Sequence, residues 1–199
     1  VCLRGIGLVP DAATEADLDA LAAAGVVGIR LNYVHGGLLT WAGVKALAPR
    51  LAARGMHVQM LMNAHKHMAE IAGDVAALPV PVVFDHIGWP DIGAGVGEAG
   101  FEILRRLVAE GDAYIKLSGV YRLCQRPYEA AAPFVAALAE ANPQRCVWGS
   151  DWPHIMLADA LQPDAGVLLN AFLDTVTSEE ARKQILVKTP GALYGFDRS

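Results

Sequence analysis

Short runs of apolar, β-branched residues alternate with amphipathic segments along the chain. The apolar runs predict six strands, at residues 1–9, 26–33, 57–62, 80–86, 113–118 and 145–151. Between them apolar residues recur at helical spacing, as in Phe101, Leu104 and Val108, and Thr14 with Asp17 predicts a capping box at the first helix. Runs as apolar as residues 79–84 are typical of strands covered on both faces, which helices around a parallel sheet provide.

A repeated β-then-α unit is compatible with two α/β folds, an open doubly wound sheet and a closed (β/α)₈ TIM barrel. The first run leads into Leu-Val-Pro-Asp at residues 8–11, which lacks the glycine-rich turn that holds a dinucleotide. Polar residues instead collect at the C-terminal ends of the predicted strands, where a barrel carries its active site. We therefore expect a (β/α)₈ barrel that forms one domain over residues 1–199.

Composition and charge limit the kinds of molecule that the chain is expected to bind. The 199 residues carry a formal net charge of −5 with scattered lysines, so neither the charge nor its distribution predicts nucleic-acid binding. The longest charge-free run, residues 31–44, is too short and too polar to span a membrane. Cys2, Cys124 and Cys146 lie far apart, which predicts reduced thiols in a cytoplasmic protein. The expected partner is a small molecule, and the oligomeric state is not readable from the sequence.

The last predicted strand ends in Gly-Ser-Asp-Trp-Pro-His at residues 149–154. Here Asp151 lies between Trp148 and Trp152, and low polarity around a carboxylate raises its pKa toward that of a useful general base. The alternative is that Asp151 only caps the following turn.

A second strand, at residues 80–86, runs into Asp-His-Ile-Gly-Trp-Pro-Asp at residues 85–91. His86 is a candidate to polarise a carbonyl or to bind a metal, and the alternative is a buried structural histidine. The repetition of the same strand-to-turn arrangement favours the functional interpretation. His57, His65 and His67 receive no ligand role, because the first begins a strand and the other two precede a helix.

Arg30 and Arg122 also lie near the C-terminal ends of predicted strands. A planar guanidinium meets a carboxylate through two parallel hydrogen bonds, which predicts that these arginines bind an anionic group of the substrate. The alternative is an ion pair with Asp85 or with another carboxylate at the same edge.

The chain resembles the amidohydrolase superfamily, and within it the amidohydrolase-2 group, which includes hydrolases of pyrone dicarboxylate and of sugar lactones. The resemblance follows the order of the family over nearly the whole chain, and its most specific segment is Gly-Ser-Asp-Trp-Pro at residues 149–153. The other matching motifs are Gly-Ile-Arg-Leu-Asn at 28–32, residues 85–91, Lys-Leu-Ser-Gly at 116–119 and Thr-Pro-Gly-Ala-Leu-Tyr at 189–194.

This resemblance implies a (β/α)₈ hydrolase that opens a lactone, or a similar cyclic ester or amide, of a carboxylate-bearing small molecule. Asp151 would accept a proton from the attacking water, and His86 would bind or polarise the scissile carbonyl. The implied substrate-binding residues are Arg30, Asn32, Tyr121, Arg122 and His154.

Three departures from the family qualify this expectation. The family's His-x-His motif on the first strand has no counterpart, so the first two β/α units of the barrel are expected to be missing from the chain. The chain has His35 and Gly36 where the pyrone dicarboxylate hydrolases carry a basic pair, and Ile155 and Met156 where they carry Pro-Asn. Pyrone dicarboxylate is therefore not the expected substrate.

The third departure concerns metal ligands. His86 and Asp151 alone are fewer than the three protein ligands that a catalytic zinc typically takes, so we expect hydrolysis without a cofactor. One alternative is a decarboxylase or deaminase of the same superfamily that binds a divalent ion, zinc or manganese, through these two residues. The other is a non-catalytic remnant of a barrel that acts as an interaction module.

Overall fold

The computed structural model describes residues 3–155, 157 and 162–196. Its strands are β1 (Gly5–Gly7), β2 (Val26–Asn32), β3 (His57–Leu61), β4 (Val82–Phe84), β5 (Tyr114–Leu117) and β6 (Cys146–Trp148). Its helices are α1 (Glu15–Ala23), α2 (Trp41–Ala52), α3 (Ala64–Ala77), α4 (Ala99–Glu110), α5 (Ala132–Ala141), α6 (Ala165–Thr175), α7 (Glu179–Lys183) and α8 (Thr189–Tyr194), with a π-helical turn at Gln184–Lys188. Each predicted strand contains one of these strands, so the predicted strand positions are confirmed.

The six strands are all parallel and lie in the order β1 to β6, so neighbours in the sheet are also neighbours in the sequence. A doubly wound sheet would reverse its strand order at a switch point, and the described strands contain no such reversal. Helices α1 to α5 connect successive strands, as parallel neighbours require. The result is a mixed α/β fold in which the sheet curls into a half-barrel.

The two faces of the sheet differ in chemistry because successive strand residues point to opposite sides. On the helix-covered face, Ile29, Met60 and Phe84 belong to a buried apolar core that also contains Leu104 of α4. On the other face, Arg30, Gln59 and Lys116 converge on Asp85. Helix packing therefore uses one set of alternating positions and leaves the other set free for polar chemistry.

Local signals at the helix ends agree with the structure. The Thr14 side chain accepts from the Asp17 amide while the Asp17 side chain accepts from the Thr14 amide, which confirms the predicted capping box. α4 is followed directly by Gly111, whose φ of 89° is readily adopted only by glycine. Pro133 lies in the first turn of α5, where its missing N–H is not needed.

Among the described residues, no helix combines the length and the apolar character needed to cross a membrane. Cys124 and Cys146 are free thiols. Cys2 and Met156 lie outside the described residues.

The buried histidine at the start of β3 is expected to make stability depend on pH. His57 is 1% exposed, and burial together with the charge of Lys116 lowers its pKa from 6.5 to about 4. Between these two pH values the unfolded chain binds a proton that the folded chain excludes, so the free energy of unfolding decreases as the pH falls. The expected loss by pH 4 is about 3 kcal/mol.

Urea denaturation at several pH values measures this effect. In His57→Gln the decrease between pH 6.5 and pH 4 should be smaller than in the wild-type chain, whatever the variant's stability at neutral pH. His35→Gln, which changes an exposed histidine, is the matched control and should retain the wild-type slope. Equal slopes for wild type and His57→Gln would show that the interior does not exclude the proton.

Candidate active site

Two loops at the C-terminal edge of the sheet bring His86 and Asp151 together. His86 follows β4, Asp151 follows β6, and β5 lies between these strands. His86 Nε2 and Asp151 Oδ1 are 3.8 Å apart. This separation is too long for a direct hydrogen bond, but both atoms can contact one water molecule or one substrate atom between them. Both residues have positive φ, 54° and 61°, an uncommon conformation that often occurs at functional sites.

One oxygen of the Asp151 carboxylate, Oδ2, accepts two hydrogen bonds, and the other, Oδ1, faces His86. Tyr121 Oη and Arg122 Nε both donate to Oδ2, at 2.6 and 2.7 Å. The same guanidinium donates through its two Nη atoms to the carbonyl of Ile155. The turn itself is capped by Ser150, whose Oγ accepts from the amide of Trp152, so the Asp151 side chain is left for other contacts. Oδ1 is therefore the oxygen positioned to meet a reactant.

The expected increase in the pKa of Asp151 is wrong. Burial does raise this pKa, but attraction to His86 when that ring is protonated, together with the hydrogen bonds from Tyr121 and Arg122, outweighs burial and brings it below its ordinary value. Trp152 is 77% exposed and so does not shield the carboxylate from water as the sequence suggested. Asp151 is consequently ionised at neutral pH and is a weaker base than expected.

His86 is held as a buried, neutral imidazole. Its Nδ1 lies 3.1 Å from Ser118 Oγ, and the edge of the Trp89 ring packs against it at a centroid distance of 5.7 Å. Burial lowers the pKa of His86, and the nearby carboxylates of Asp85 and Asp151 only partly offset this effect. A neutral ring can accept a hydrogen bond at one nitrogen and donate from the other.

Gly119 permits the close packing around His86. Its φ is 68°, and a Cβ at this position would lie 2.4 Å from His86 Nδ1. Any other residue would both strain the backbone and push the imidazole from its place. The Lys-Leu-Ser-Gly motif thus contributes to the site through Ser118, which contacts the ring, and through Gly119, which leaves space for it.

A cluster of charged and polar side chains surrounds the buried carboxylate of Asp85, the residue before His86. Asp85 is 1% exposed; its Oδ2 accepts from Arg30 Nη1 at 2.6 Å and from Gln59 Nε2 at 3.3 Å, and its Oδ1 is 3.0 Å from Lys116 Nζ. A buried carboxylate requires such partners, because it has lost its hydration. Since Asp85 precedes His86 in the chain, the cluster anchors the backbone from which the imidazole extends.

This cluster was not predicted from the sequence. The available signal was the alternation within β3 and β5, where Gln59 and Lys116 occupy inward positions between apolar residues. The pairing of Arg30 with Asp85 is the alternative that was left open for that arginine.

The remaining predicted residues fall into two groups. Tyr121, Arg122 and His154 gather at Asp151: the His154 ring packs edge-on against Tyr121 at 5.3 Å, and its Nε2 lies 3.0 Å from the Ser150 carbonyl oxygen. Asn32 instead ends β2, where its side chain accepts from the amide of His35 in the following loop. Contacts of these residues with a substrate remain predictions.

The side chains at the site supply few donors for a metal ion. Within residues 3–155, 157 and 162–196, no group of three or more His, Cys, Asp or Glu side chains is arranged to hold an ion. His86 and Asp151 supply two donors, which do not by themselves complete the three-ligand set of a catalytic zinc.

Comparison with known proteins places this geometry in a family. The chain is 32% identical to 2-pyrone-4,6-dicarboxylate hydrolase of Comamonas testosteroni. The alignment is 205 positions long and covers 96% of this chain and 66% of that protein. It is 39% identical to 4-sulfomuconolactone hydrolase of Rhizobium radiobacter over 124 residues, 61% of this chain and 42% of that protein. The chain thus spans only part of the length of these curated relatives.

A solved structure shows the same fold. A Pseudomonas putida protein named as a 2-pyrone-4,6-dicarboxylic acid hydrolase superposes with a TM-score of 0.83 at 31% identity, over 98% of this chain and 72% of that one. The family model described as amidohydrolase matches residues 2–196. The chain therefore belongs to the amidohydrolase family.

Proposed function

We propose that this chain is a hydrolase that opens a lactone, or a similar cyclic ester, of a carboxylate-bearing small molecule. The observation that carries the proposal is the convergence of His86 Nε2 and Asp151 Oδ1 at 3.8 Å, with the second carboxylate oxygen held by Tyr121 and Arg122. The similarity to two curated lactone hydrolases supports the reaction class. We further propose that the six described strands form part of a (β/α)₈ barrel in one domain, which the superposition on a solved family member supports.

In the proposed reaction, Asp151 Oδ1 takes a proton from water as the water oxygen bonds to the lactone carbonyl carbon. The bond between that carbon and the ring oxygen then breaks, and the ring oxygen takes the proton back from Asp151 as it leaves. The new carboxylic acid releases its own proton to the solvent. The products are a carboxylate and a hydroxyl on one opened molecule. A positioned base of this kind contributes about 10²- to 10⁴-fold to the rate.

His86 is suited to stabilise the negative charge that develops on the carbonyl oxygen. If the Ser118 hydroxyl donates to Nδ1, the neutral ring carries its proton on Nε2, the atom on the Asp151 side. A preorganised donor aimed at the developing oxyanion lowers the barrier because it needs no reorganisation during the reaction.

Arg122 links substrate binding to the strength of the base. In the structure it pairs with Asp151 and helps to keep the pKa of that carboxyl low. A substrate carboxylate that draws the guanidinium toward itself weakens this pair, and the pKa of Asp151 then rises. The base would thus become stronger when a substrate of the correct charge is bound.

A panel of carboxylated and uncharged lactones tests the proposal. Hydrolysis releases one acid per turnover, so a pH-stat records the rate directly. We expect turnover of at least one carboxylated lactone and slower turnover of its uncharged methyl ester. If none of the carboxylated lactones is hydrolysed by the folded chain, the non-catalytic alternative is favoured instead.

Replacing Gly119 with alanine is expected to lower kcat about 100-fold, because a shift of the imidazole by about 1 Å can cost that much. The physical cause is the 2.4 Å approach of the new Cβ to His86 Nδ1, added to the strain of a φ of 68°. Gly97→Ala is the matched control, since a Cβ there meets nothing within 4 Å. Thermal unfolding of both variants separates a displaced imidazole from a general loss of folding, and unchanged kcat in a folded Gly119→Ala would contradict the packing argument.

A further inference from the structure

We propose that Ser118 is a positioning residue that decides which ring nitrogen of His86 carries the proton. The Ser118 hydroxyl donates to Nδ1, and the imidazole proton then lies on Nε2, the nitrogen that faces Asp151. The inference rests on the proposed function, because it names the residue that prepares His86 to act on the substrate carbonyl. Ser118 acts on the reaction only through this ring.

The hydrogen bond between Ser118 Oγ and His86 Nδ1 can run in either direction, and the count of donors separates the two directions. Ser118 is 3% exposed, and within the described part of the chain its hydroxyl makes no other hydrogen bond. If Nδ1 carried the proton and donated it to the serine oxygen, the hydroxyl proton would be buried without an acceptor. If the hydroxyl donates instead, only lone pairs stay unused, which costs less. The burial of Ser118 therefore favours donation to Nδ1.

The carboxylate of Asp151 favours the same proton position from the other side of the ring. Its Oδ1 lies 3.8 Å from His86 Nε2, and the low pKa of Asp151 keeps the carboxylate ionised at neutral pH. At this distance a negative oxygen attracts the positive end of an N–H group and repels a nitrogen lone pair. A ring with its proton on Nδ1 would turn such a lone pair toward the carboxylate. Both neighbours of the imidazole thus specify a proton on Nε2.

Close packing holds the imidazole in the orientation that this contact needs. Ser118 follows directly after β5, and its amide donates to the Lys116 carbonyl at 3.0 Å. The next residue, Gly119, leaves room for the ring only because it lacks a Cβ. The Trp89 ring packs edge-on against the imidazole. A rotated imidazole would give up the contact with Ser118, so the hydroxyl is presented to one nitrogen only.

This proton position divides the chemistry between two residues. With its proton on Nε2, His86 donates a hydrogen bond to a carbonyl oxygen, but at that atom it has no lone pair with which to accept a proton or bind a metal. Asp151 is then left as the acceptor of the proton from water. The sequence left two roles open for His86, polarising a carbonyl and binding a metal, and the assigned proton position favours the first.

Nitrogen-15 NMR of the full chain, labelled at histidine, tests the assignment directly. In a neutral imidazole the protonated and unprotonated nitrogens resonate far apart, and their couplings to the carbon-bound ring protons distinguish Nδ1 from Nε2. Slightly above neutral pH, wild-type His86 should be protonated on Nε2 alone, its signals being those that are missing in His86→Gln. A proton on Nδ1, or on both nitrogens, would overturn the assignment. Equimolar zinc chloride should leave the spectrum unchanged, and displacement of the Nε2 proton by zinc would overturn the assignment as well.

Ser118→Ala reports the direction of the hydrogen bond independently. A donor to Nδ1 stabilises the neutral ring, so its removal should raise the pKa of His86 and make protonation about fivefold easier, the effect of one neutral hydrogen bond. A lowered or unchanged pKa would contradict donation by Ser118. The charged groups around the ring are the same in both chains; they are Asp85, Lys116, Arg122 and Asp151.

Two further variants separate the hydroxyl from packing. Ser118→Thr keeps a hydroxyl and should keep the wild-type pKa of His86, whereas a rise as large as in Ser118→Ala would assign the effect to packing. Ser178→Ala is the matched control, since it removes a serine hydroxyl at the start of α7 and should leave the spectrum of His86 unchanged.

Kinetics separate this assignment from the proposed function. On a hydrolysed lactone, Ser118→Ala should lower kcat about tenfold and change KM little, because the aligned N–H acts on charge that develops only in the transition state. An unchanged kcat would contradict the positioning role. A proton on Nε2 in a folded chain that hydrolyses no lactone would support the assignment of the ring while contradicting the hydrolase, and hydrolysis by a chain whose proton lies on Nδ1 would do the reverse. Thermal unfolding confirms that each variant is folded.

Discussion

Asp151→Asn is expected to reduce kcat for lactone hydrolysis about 1,000-fold, the middle of the range for loss of a positioned general base. Asparagine has nearly the same shape as aspartate but cannot accept the proton of the attacking water. The protein should stay folded, because the side-chain oxygen can still accept from Tyr121 Oη or Arg122 Nε. Initial rates on a hydrolysed lactone, with thermal unfolding of the same preparation, measure both effects.

The matched control is Asp112→Asn, which removes a carboxylate from an exposed position after α4. This variant should retain the wild-type rate. If Asp151→Asn were folded and as active as the control, Asp151 could not be the base, and the proposed mechanism would have to be abandoned.

The ionisation of Asp151 is expected to set the acid limb of the profile of activity against pH. Asp151 must be ionised to act as a base, and its pKa lies below the ordinary value of 3.8. Activity should therefore be lost only as the pH falls through that low pKa, and Asp151 should impose no change in rate near neutral pH. An acid limb well above pH 3.8 in the free enzyme would show that another group limits the reaction.

Asp85→Asn is expected to lower the free energy of unfolding by about 3 kcal/mol, because removing one partner of a buried ion pair leaves the other charge uncompensated. Here two cations lose their partner: the side chains of Arg30 and Lys116 are 31% and 20% exposed, against 1% for Asp85. Their partial contact with water is the reason to expect the lower end of the usual range. Urea denaturation measures the change.

A second variant shows whether charge is the cause. Adding Lys116→Met to Asp85→Asn removes one of the two stranded cations and should restore part of the lost stability. Glu15→Gln is the matched control: it breaks ion pairs with Arg50 and Arg54 at a site where Glu15 is 61% exposed, and exposed pairs contribute little. A loss no larger in Asp85→Asn than in Glu15→Gln would contradict a stabilising role for the buried cluster.

Local sequence patterns were sufficient to locate the strands of the fold. Strand and helix periods are properties of short windows, so six strands could be located from runs such as residues 80–86 and 145–151. The ends of those strands also identified His86 and Asp151, since the C-terminal ends of parallel strands lie at one edge of a sheet. The closing residues of both runs, His86 and Asp151, nevertheless lie outside the strands and have positive φ.

The chemistry of the site could not be obtained in the same way. The sequence suggested that neighbouring tryptophans would raise the pKa of Asp151, but its determining partners include Tyr121 and Arg122, which are 30 and 29 residues away along the chain. Proximity in sequence therefore suggested the wrong environment for the carboxylate.

The sequence by itself determined where strands and helices form and which residue types reach the C-terminal edge of the sheet, because hydrophobic periodicity and turn chemistry act over a few residues. Only the tertiary structure decided which charges meet: Arg30 pairs with Asp85 across 55 positions, and Lys116 joins the same buried carboxylate. Electrostatic energies depend on distance and burial in space, and strand register sets both. The protonation states and free hydrogen-bonding atoms of the site follow from that register.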